Sequence, residues 1–281
     1  MTISKLSLPL LATLISTNIC FTTPLMAAES TSTTTTPTWY QPTLQVNWYW
    51  QLQGEINAPS NAELLDVDLF DTSADKIKAL HEQGKKVICY FSAGSHESWR
   101  EDAKQFPENV SGKALDGWKG ERWLDIRFPA VQILMRSRME LAKAKNCDGV
   151  EPDNVDAYTN NTGFPLTADD QTTYNLWLAQ TAHDLNLSIG LKNAADIVNK
   201  LVDHFDFSLT EQCHQYNECD KYLPFIQQGK PVLNAEYAQR YTENLESRNQ
   251  LCADANSLGL RTLILPLNLD GSFIYNCSSN N

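Results

Sequence analysis

The stretch CDGVEPDNVDAY, Cys147 to Tyr158, sets four carboxylates, an amide and a proline behind an apolar approach. Glu151 and Asp153 share one parity; Asn154 and Asp156 share the other. At the end of a strand, alternation sends one such pair into a cavity and the other away from it. Acidic and amide residues recur at the ends of other short apolar runs. Asp68 lies near the end of LLDVDLF and Asp71 follows it, Ser92 follows ICYF, and Asp125 sits in WLDI. Lys192 and Asn193 end IGLKN, Glu211 and Gln212 follow FSLT, and Glu236 follows VLNA. Aromatic residues interleave them: Trp48, Trp50, Tyr90, Phe91, Trp99 and Tyr158. Carboxylates from different strands, facing each other, are what cleavage of a glycosidic bond requires, one as acid and one as base or nucleophile. Acids and aromatic rings on one concave surface hold sugars by hydroxyl hydrogen bonds and stacking.

Each residue also has a plainer reading. Asp66 and Asp68 in DVDLFD could serve a cap or a turn. Lys192 could pair with Glu151, which lies one inward step deeper than Asp153, and hold it in place. Trp48 and Trp50 could be wall rather than platform. Asp153 and Glu211 resist this reading best, since each ends an apolar run and precedes an amide, Asn154 or Gln212. No bound metal or other cofactor is expected. The five histidines are scattered singly, and neither CxxC spacing nor a His-Glu-x-x-His helix occurs.

The elements that must position these residues alternate. LQVNWYWQL, LLDVDLF, KKVICYFS, RWLDI, CDGVEPD, LSIGLKN, FDFSLTEQC, PVLNAEY and RTLILPLN read as strands, with RWLDI the weakest of the nine. Helical patterns lie between several of them. SADKIKALHEQGKK opens on Ser73 as a cap and stops at Gly84, and FPAVQILMRSRMELAKAKN carries Pro129 in its first turn. TADDQTTYNLWLAQTAHDLN begins at Thr167 with acids that suit the helix dipole, and ENLESRNQLCADANSLG is a fourth. Strand and helix in succession imply parallel strands, and at this length an α/β, (β/α)8 TIM-type barrel is the natural closure, with one extra strand. In such a barrel the chemistry sits at the C-terminal mouth of the strands, where these polar residues fall.

The 281-residue chain opens with one charge, Lys5, an apolar run of roughly ten residues and PLMAAES, which together read as a signal peptide over residues 1–28. Residues 29–38 read as a disordered Ser/Thr-rich leader and 39–281 as one catalytic barrel. The expected protein is exported, secreted or periplasmic, without a membrane anchor, and monomeric. Six cysteines remain after cleavage, which in an oxidising compartment favours disulfides, and CHQYNEC closes a loop small enough for Cys213 and Cys219 to pair. The formal charge of −12 disfavours nucleic acid and anionic membranes as partners and attracts cations.

GVEPDNVDAY, VICYFSAGSHESWRED, IGLKNA, LTEQCHQYNECD and NAEY resemble the motifs of glycoside hydrolase family 114 over about Trp48 to Asp270. That resemblance implies a (β/α) barrel with endo-α-1,4-polygalactosaminidase activity on a cationic, galactosamine-rich exopolysaccharide. It places the catalytic carboxylates at Asp153 and Glu211, a cysteine pair at Cys213 and Cys219, and a cleft residue at Asp125. Asp68, Trp50, Tyr90, Glu151, Asn154, Lys192, Asn193, Gln212 and Glu236 complete the expected substrate-binding set. The order of roles between Asp153 and Glu211, and retention against inversion, stay open at this level. A secreted polysaccharide-binding barrel without turnover is the alternative, and the presence of both carboxylates weighs against it.

Overall fold

In the computed structural model, residues 1–2 and 37–278 are described, so the expected signal segment and most of the leader lie outside the described residues. Among the described residues the strands are β1 (Trp48–Gln51), β2 (Leu64–Asp68), β3 (Lys86–Ser92), β4 (Ser95–Glu97), β5 (Ser111–Ala114), β6 (Glu121–Leu124), β7 (Gly149–Asp153), β8 (Ser188–Lys192), β9 (Phe207–Glu211), β10 (Val232–Glu236), β11 (Arg261–Ile264) and β12 (Tyr275–Asn276). Helices are α1 (Ala74–Glu82), α2 (Pro129–Ala144), α3 (Ala168–Asp184), α4 (Val198–Leu201), α5 (Cys213–Tyr216), α6 (Leu223–Gln227), α7 (Gln239–Glu243) and α8 (Leu245–Leu258). The main sheet runs β1-β2-β3-β7-β8-β9-β10-β11-β12, parallel throughout except for β12. It curls into the expected barrel. Its ends are bridged by side chains: the Trp48 indole donates to the Arg261 carbonyl at 2.7 Å, and Arg261 Nε donates to the Val46 carbonyl at 3.0 Å.

RWLDI is the strand outside the barrel. As β6 it pairs antiparallel with β4 and β5, forming a three-stranded flap inserted between β3 and α2. The longer helices start where the local chemistry starts them. Ser73 accepts the Lys76 N–H at 3.2 Å, Pro129 occupies the first turn of α2, and Thr167 and Asp170 form a reciprocal capping box on α3. α8 ends on Gly259 at φ 78°, the left-handed residue that closes its last turn.

Strict alternation along the strands builds two cores. Leu65, Val67, Val87, Cys89, Val150 and Leu191 face the helices. Trp48, Trp50, Leu64, Ile88, Phe207 and Leu209 fill the barrel interior. Each such aliphatic or aromatic side chain contributes ~1.5–3 kcal/mol by leaving water. The interior packs only because Gly190 has no side chain, since a Cβ there would stand 2.4 Å from the Phe207 ring. Disulfides join Cys89 to Cys147, Cys213 to Cys219 as expected, and Cys252 to Cys277.

A buried ion network fixes the flap to the barrel. Arg138 on α2 lies in the apolar stripe of its helix, pairs with Asp102 at 2.8 Å, and reaches Glu97 on β4 at 3.3 Å. Arg100 contacts Glu97 at 2.8 Å and grips both oxygens of Asp68 at 3.0 and 2.6 Å. Removing one member of such a group leaves a buried charge uncompensated, at a cost of ~3–5 kcal/mol.

Candidate active site

The strand ends open into a cleft of about 750 Å³, with the flap along one wall. Inward parity brings Glu151 and Asp153 of β7, Lys192 of β8 and Glu211 of β9 to one place. The Lys192 ammonium is its centre. It donates to Glu151 Oε1 at 2.7 Å and lies 3.3 Å from Asp153 Oδ1 and 3.4 Å from Glu211 Oε2. The Trp50 ring lies 4.8 Å from this nitrogen and the Tyr90 ring 5.7 Å, adding two π faces. Burial alone would lower the pKa of Lys192, but Asp153, Glu151 and Glu211 together outweigh it and hold the ammonium charged.

Each of the two half-buried carboxylates at the cleft, Asp153 and Glu211, has its own tyrosine. The Tyr90 hydroxyl donates to Asp153 Oδ2 at 2.9 Å and the Asn154 N–H to Oδ1 at 2.7 Å. The Tyr237 hydroxyl donates to Glu211 Oε1 at 2.5 Å, and Asn193 Nδ2 to Oε2 at 3.2 Å. Burial, reinforced by Asp153 beside Tyr90 and by Glu211 beside Tyr237, pushes both phenols well above their ordinary pKa, so both remain donors.

The amides that follow these charged residues do something sequence did not suggest. Asn154, Asn193 and Gln212 have φ of 61°, 48° and 56°, and Ala194 has 59°. Three strands thus end in the left-handed region directly after an inward-facing charge. The chain turns sharply there while the preceding side chain stays aimed at the cleft. Asn tolerates that conformation, whereas Gln and Ala adopt it at a cost of ~1–3 kcal/mol and concentrate strain at the site. Asn154 also donates to Ser92 Oγ at 2.9 Å. Gly94 lies against this turn, where a Cβ would stand 1.7 Å from the Asn154 carbonyl oxygen.

Asp153, Asn154, Glu211, Gln212, Lys192 and Asn193 all border the cleft, as do Trp50 and Tyr90. Glu151 is wholly buried beneath them. Three expected cleft residues are placed elsewhere. Asp68 is buried in the grip of Arg100. Asp125 follows flap strand β6 and is held by Arg127 Nε at 2.8 Å. Glu236 falls on the wrong parity: Ala235 faces the barrel interior, and Glu236 turns outward to accept the His214 N–H at 2.9 Å. Its inward neighbour Tyr237 reaches the cleft instead. Among the aromatic residues, Trp48 and Phe91 are core, while Trp118, Trp123 and Tyr216 border the cleft.

The flap and loops add acids that strand patterning did not mark: Asp116, Glu121, Asp156, Asp196 and Glu218. Burial pushes Glu121 up to about 7 against the Ser95 hydroxyl, which donates to it at 2.7 Å. Burial, with Asp153 nearby, lifts Asp156 to about 6. Among the described residues the one group with metal-ligand types together is Cys213, His214 and Cys219, and its cysteines are spent in a disulfide.

A curled parallel sheet with carboxylates facing each other across its C-terminal mouth is the architecture of a glycoside hydrolase. The chain belongs to the glycoside-hydrolase family GH114, which it matches over residues 29–280. It is 42% identical to Aspergillus fumigatus Ega3, whose structure is a complex with galactosamine; the match covers 85% of this chain and 97% of that one with a TM-score of 0.80. The glycoside hydrolase domain of PelA from Pseudomonas aeruginosa shares the fold at 13% identity and a TM-score of 0.62, over 81% of this chain and 96% of that one. No curated protein matches the chain.

Proposed function

We propose that the protein is an exported hydrolase that cuts α-1,4-galactosaminidic bonds within a cationic exopolysaccharide, with Asp153 and Glu211 as its catalytic pair. The carrying observation is that these two carboxylates, from β7 and β9 on either side of β8, meet the buried ammonium that β8 supplies in an acidic cleft. The likeness to a relative solved with galactosamine supports the substrate class. Galactosamine without its acetyl group is an ammonium ion near neutral pH, and the surplus of acids over lysines in the cleft attracts a chain of such units. The open cleft suits internal cleavage, and the three disulfides suit export.

A retaining course is the proposal that the anomer assay tests. Asp153 and Glu211 reach the same nitrogen at 3.3 and 3.4 Å, so their nearest oxygens lie no further apart than those distances laid end to end. Retaining pairs stand ~5–5.5 Å apart and inverting pairs ~6.5–9.5 Å. Three donors converge on Asp153 and three on Glu211, Lys192 being shared, so the division of roles between them is part of the proposal. Asp153 attacks the anomeric carbon while Glu211 gives its proton to the departing glycosidic oxygen, and the C–O bond breaks. Glu211, now a carboxylate, takes a proton from water, whose oxygen displaces Asp153. Lys192 and the two tyrosines keep both groups aimed throughout.

The test is incubation with partly deacetylated galactosaminoglycan, following oligosaccharide release and the anomer first formed. Release of α-anomeric ends is expected, with Asp153→Asn and Glu211→Gln each lowering turnover by ~10²–10⁴ and the double variant little worse than the poorer single one. Binding without release, or near-wild-type turnover in either variant, refutes the assignment.

A further inference from the structure

Beneath the facing carboxylates lies a second acid pair that the reaction does not touch. Asp66 on β2 and Glu151 on β7 both point into the barrel, 1% and 0% exposed, close enough for the Glu151 carboxyl to act directly on Asp66. No N–H or O–H of the described residues donates to either Asp66 oxygen or to Glu151 Oε2. Around them stand Trp50 from β1, Ile88 and Tyr90 from β3, Asp153 from β7 and Lys192 from β8. With Glu211 included, one ammonium faces four carboxyls. Two neighbouring carboxyls, withdrawn from water and short of donors, resist ionising together. Burial, with the neighbouring carboxylate adding to it, raises Asp66 well above the ordinary range.

We propose that Asp66 is the proton holder of the cleft floor: its carboxyl stays protonated at neutral pH and donates to Glu151, leaving that pair with one negative charge. That charge balances Lys192. The ammonium then sits on Glu151 and still reaches up to Asp153 and Glu211. A doubly ionised floor would draw it down and away from both. Asp66 is thus a positioning residue, and its role rests on the reading that Asp153 and Glu211 carry the reaction.

Asp66→Asn keeps a donor to Glu151 without a titratable proton, while Asp66→Leu removes the donor. Difference infrared spectroscopy of the wild type at neutral pH should show the carbonyl stretch of a protonated, buried carboxyl that Asp66→Asn lacks. Turnover of Asp66→Asn should stay within about threefold of wild type, whereas Asp66→Leu should fall about tenfold or more with little change in KM. The alkaline limb of the turnover–pH profile should move to higher pH in Asp66→Asn. Absence of the band, or Asp66→Asn as impaired as Asp66→Leu, overturns the proposal. If Asp66→Leu does not fold, the band and the Asp66→Asn profile decide. The infrared signal does not depend on turnover, so it separates this proposal from the choice of catalytic pair.

Discussion

Lys192→Met keeps the length of the side chain and deletes its charge, which makes it the sharpest probe of the site. The ammonium is 2% exposed and is the donor to Glu151 Oε1, which is itself buried. Removing one partner of a buried pair costs ~3–5 kcal/mol because the other charge is stranded. For a domain of this size that corresponds to a fall in Tm of roughly 6–20 °C. Uptake of a further proton by the floor acids would relieve part of it, so the lower half of that range is expected at mildly acidic pH and the upper half near pH 8. Asp153 and Glu211 also lose their shared anchor, and loss of a preorganised electrostatic partner typically costs ~10²–10³ in turnover. Calorimetry across pH, with oligosaccharide release measured well below Tm, reads both effects. Lys113, exposed at the rim of the cleft, supplies the control, and Lys113→Met should leave Tm nearly unchanged. A Lys192→Met protein as stable and as active as wild type would refute the claim that this ammonium organises the site.

Gly94→Ala should lower turnover by ~10²-fold with a smaller effect on folding, because its Cβ would collide with the Asn154 carbonyl and displace the turn that aims Asp153. Loss of the Cys213–Cys219 disulfide should cost ~2–3 kcal/mol or less, given a sequence separation of 6, yet reduce turnover more than that suggests by loosening the chain after Glu211; paired serine variants assayed below their Tm check this. Glu121 and Glu236, both pushed up to about 7, hold protons more tightly folded than unfolded. Their contribution to stability is therefore complete below the ordinary carboxylate pKa and disappears as pH rises through about 7, so Glu121→Gln should flatten the alkaline side of a Tm–pH curve. Above about 7 the ionised Glu121 should bind a galactosamine polymer more tightly, and several hundred millimolar salt should erase that gain.

The barrel was legible because its strands alternate and end in polar residues, and the parity of Glu151 and Asp153 did point both into the interior. The same rule applied one residue more carefully would have turned Glu236 outward and found Tyr237. Asp68 obeys the inward parity, yet it is captured by Arg100, a residue about thirty positions along on the flap, and no local pattern announces such a partner. Asn154, Asn193 and Gln212 read from the sequence as cleft amides, and they do border the cleft; their second part, backbones that make the sharp turns, has no signature in the pattern. Asp66 read equally well as a cap or turn residue, because only folding brings it against Glu151. The flap acids belong to loops whose course depends on the Arg100 and Arg138 network, so their convergence on the cleft has no signature in the chain.

The barrel can also be regarded as a split ring. Strand pairing runs continuously from β1 to β12, and the joint between its two ends is carried by the side chains of Trp48, Arg261 and Asn276 together with the backbone bonds to Leu269, rather than by a strand ladder. The covalent clasps all lie elsewhere: one within the β3 to β7 crossover, one after β9, and one tying α8 to the chain beyond β12. Opening of the ring is therefore expected first along that joint, where a ladder of strand hydrogen bonds is missing. Trp50 and Leu269 stand beside it at the mouth, and the Leu269 carbonyl receives the Leu52 and Gln53 N–H groups at 3.0 and 3.2 Å. The gauge of the opening that a polymer must thread is set at the one place the ring is not welded.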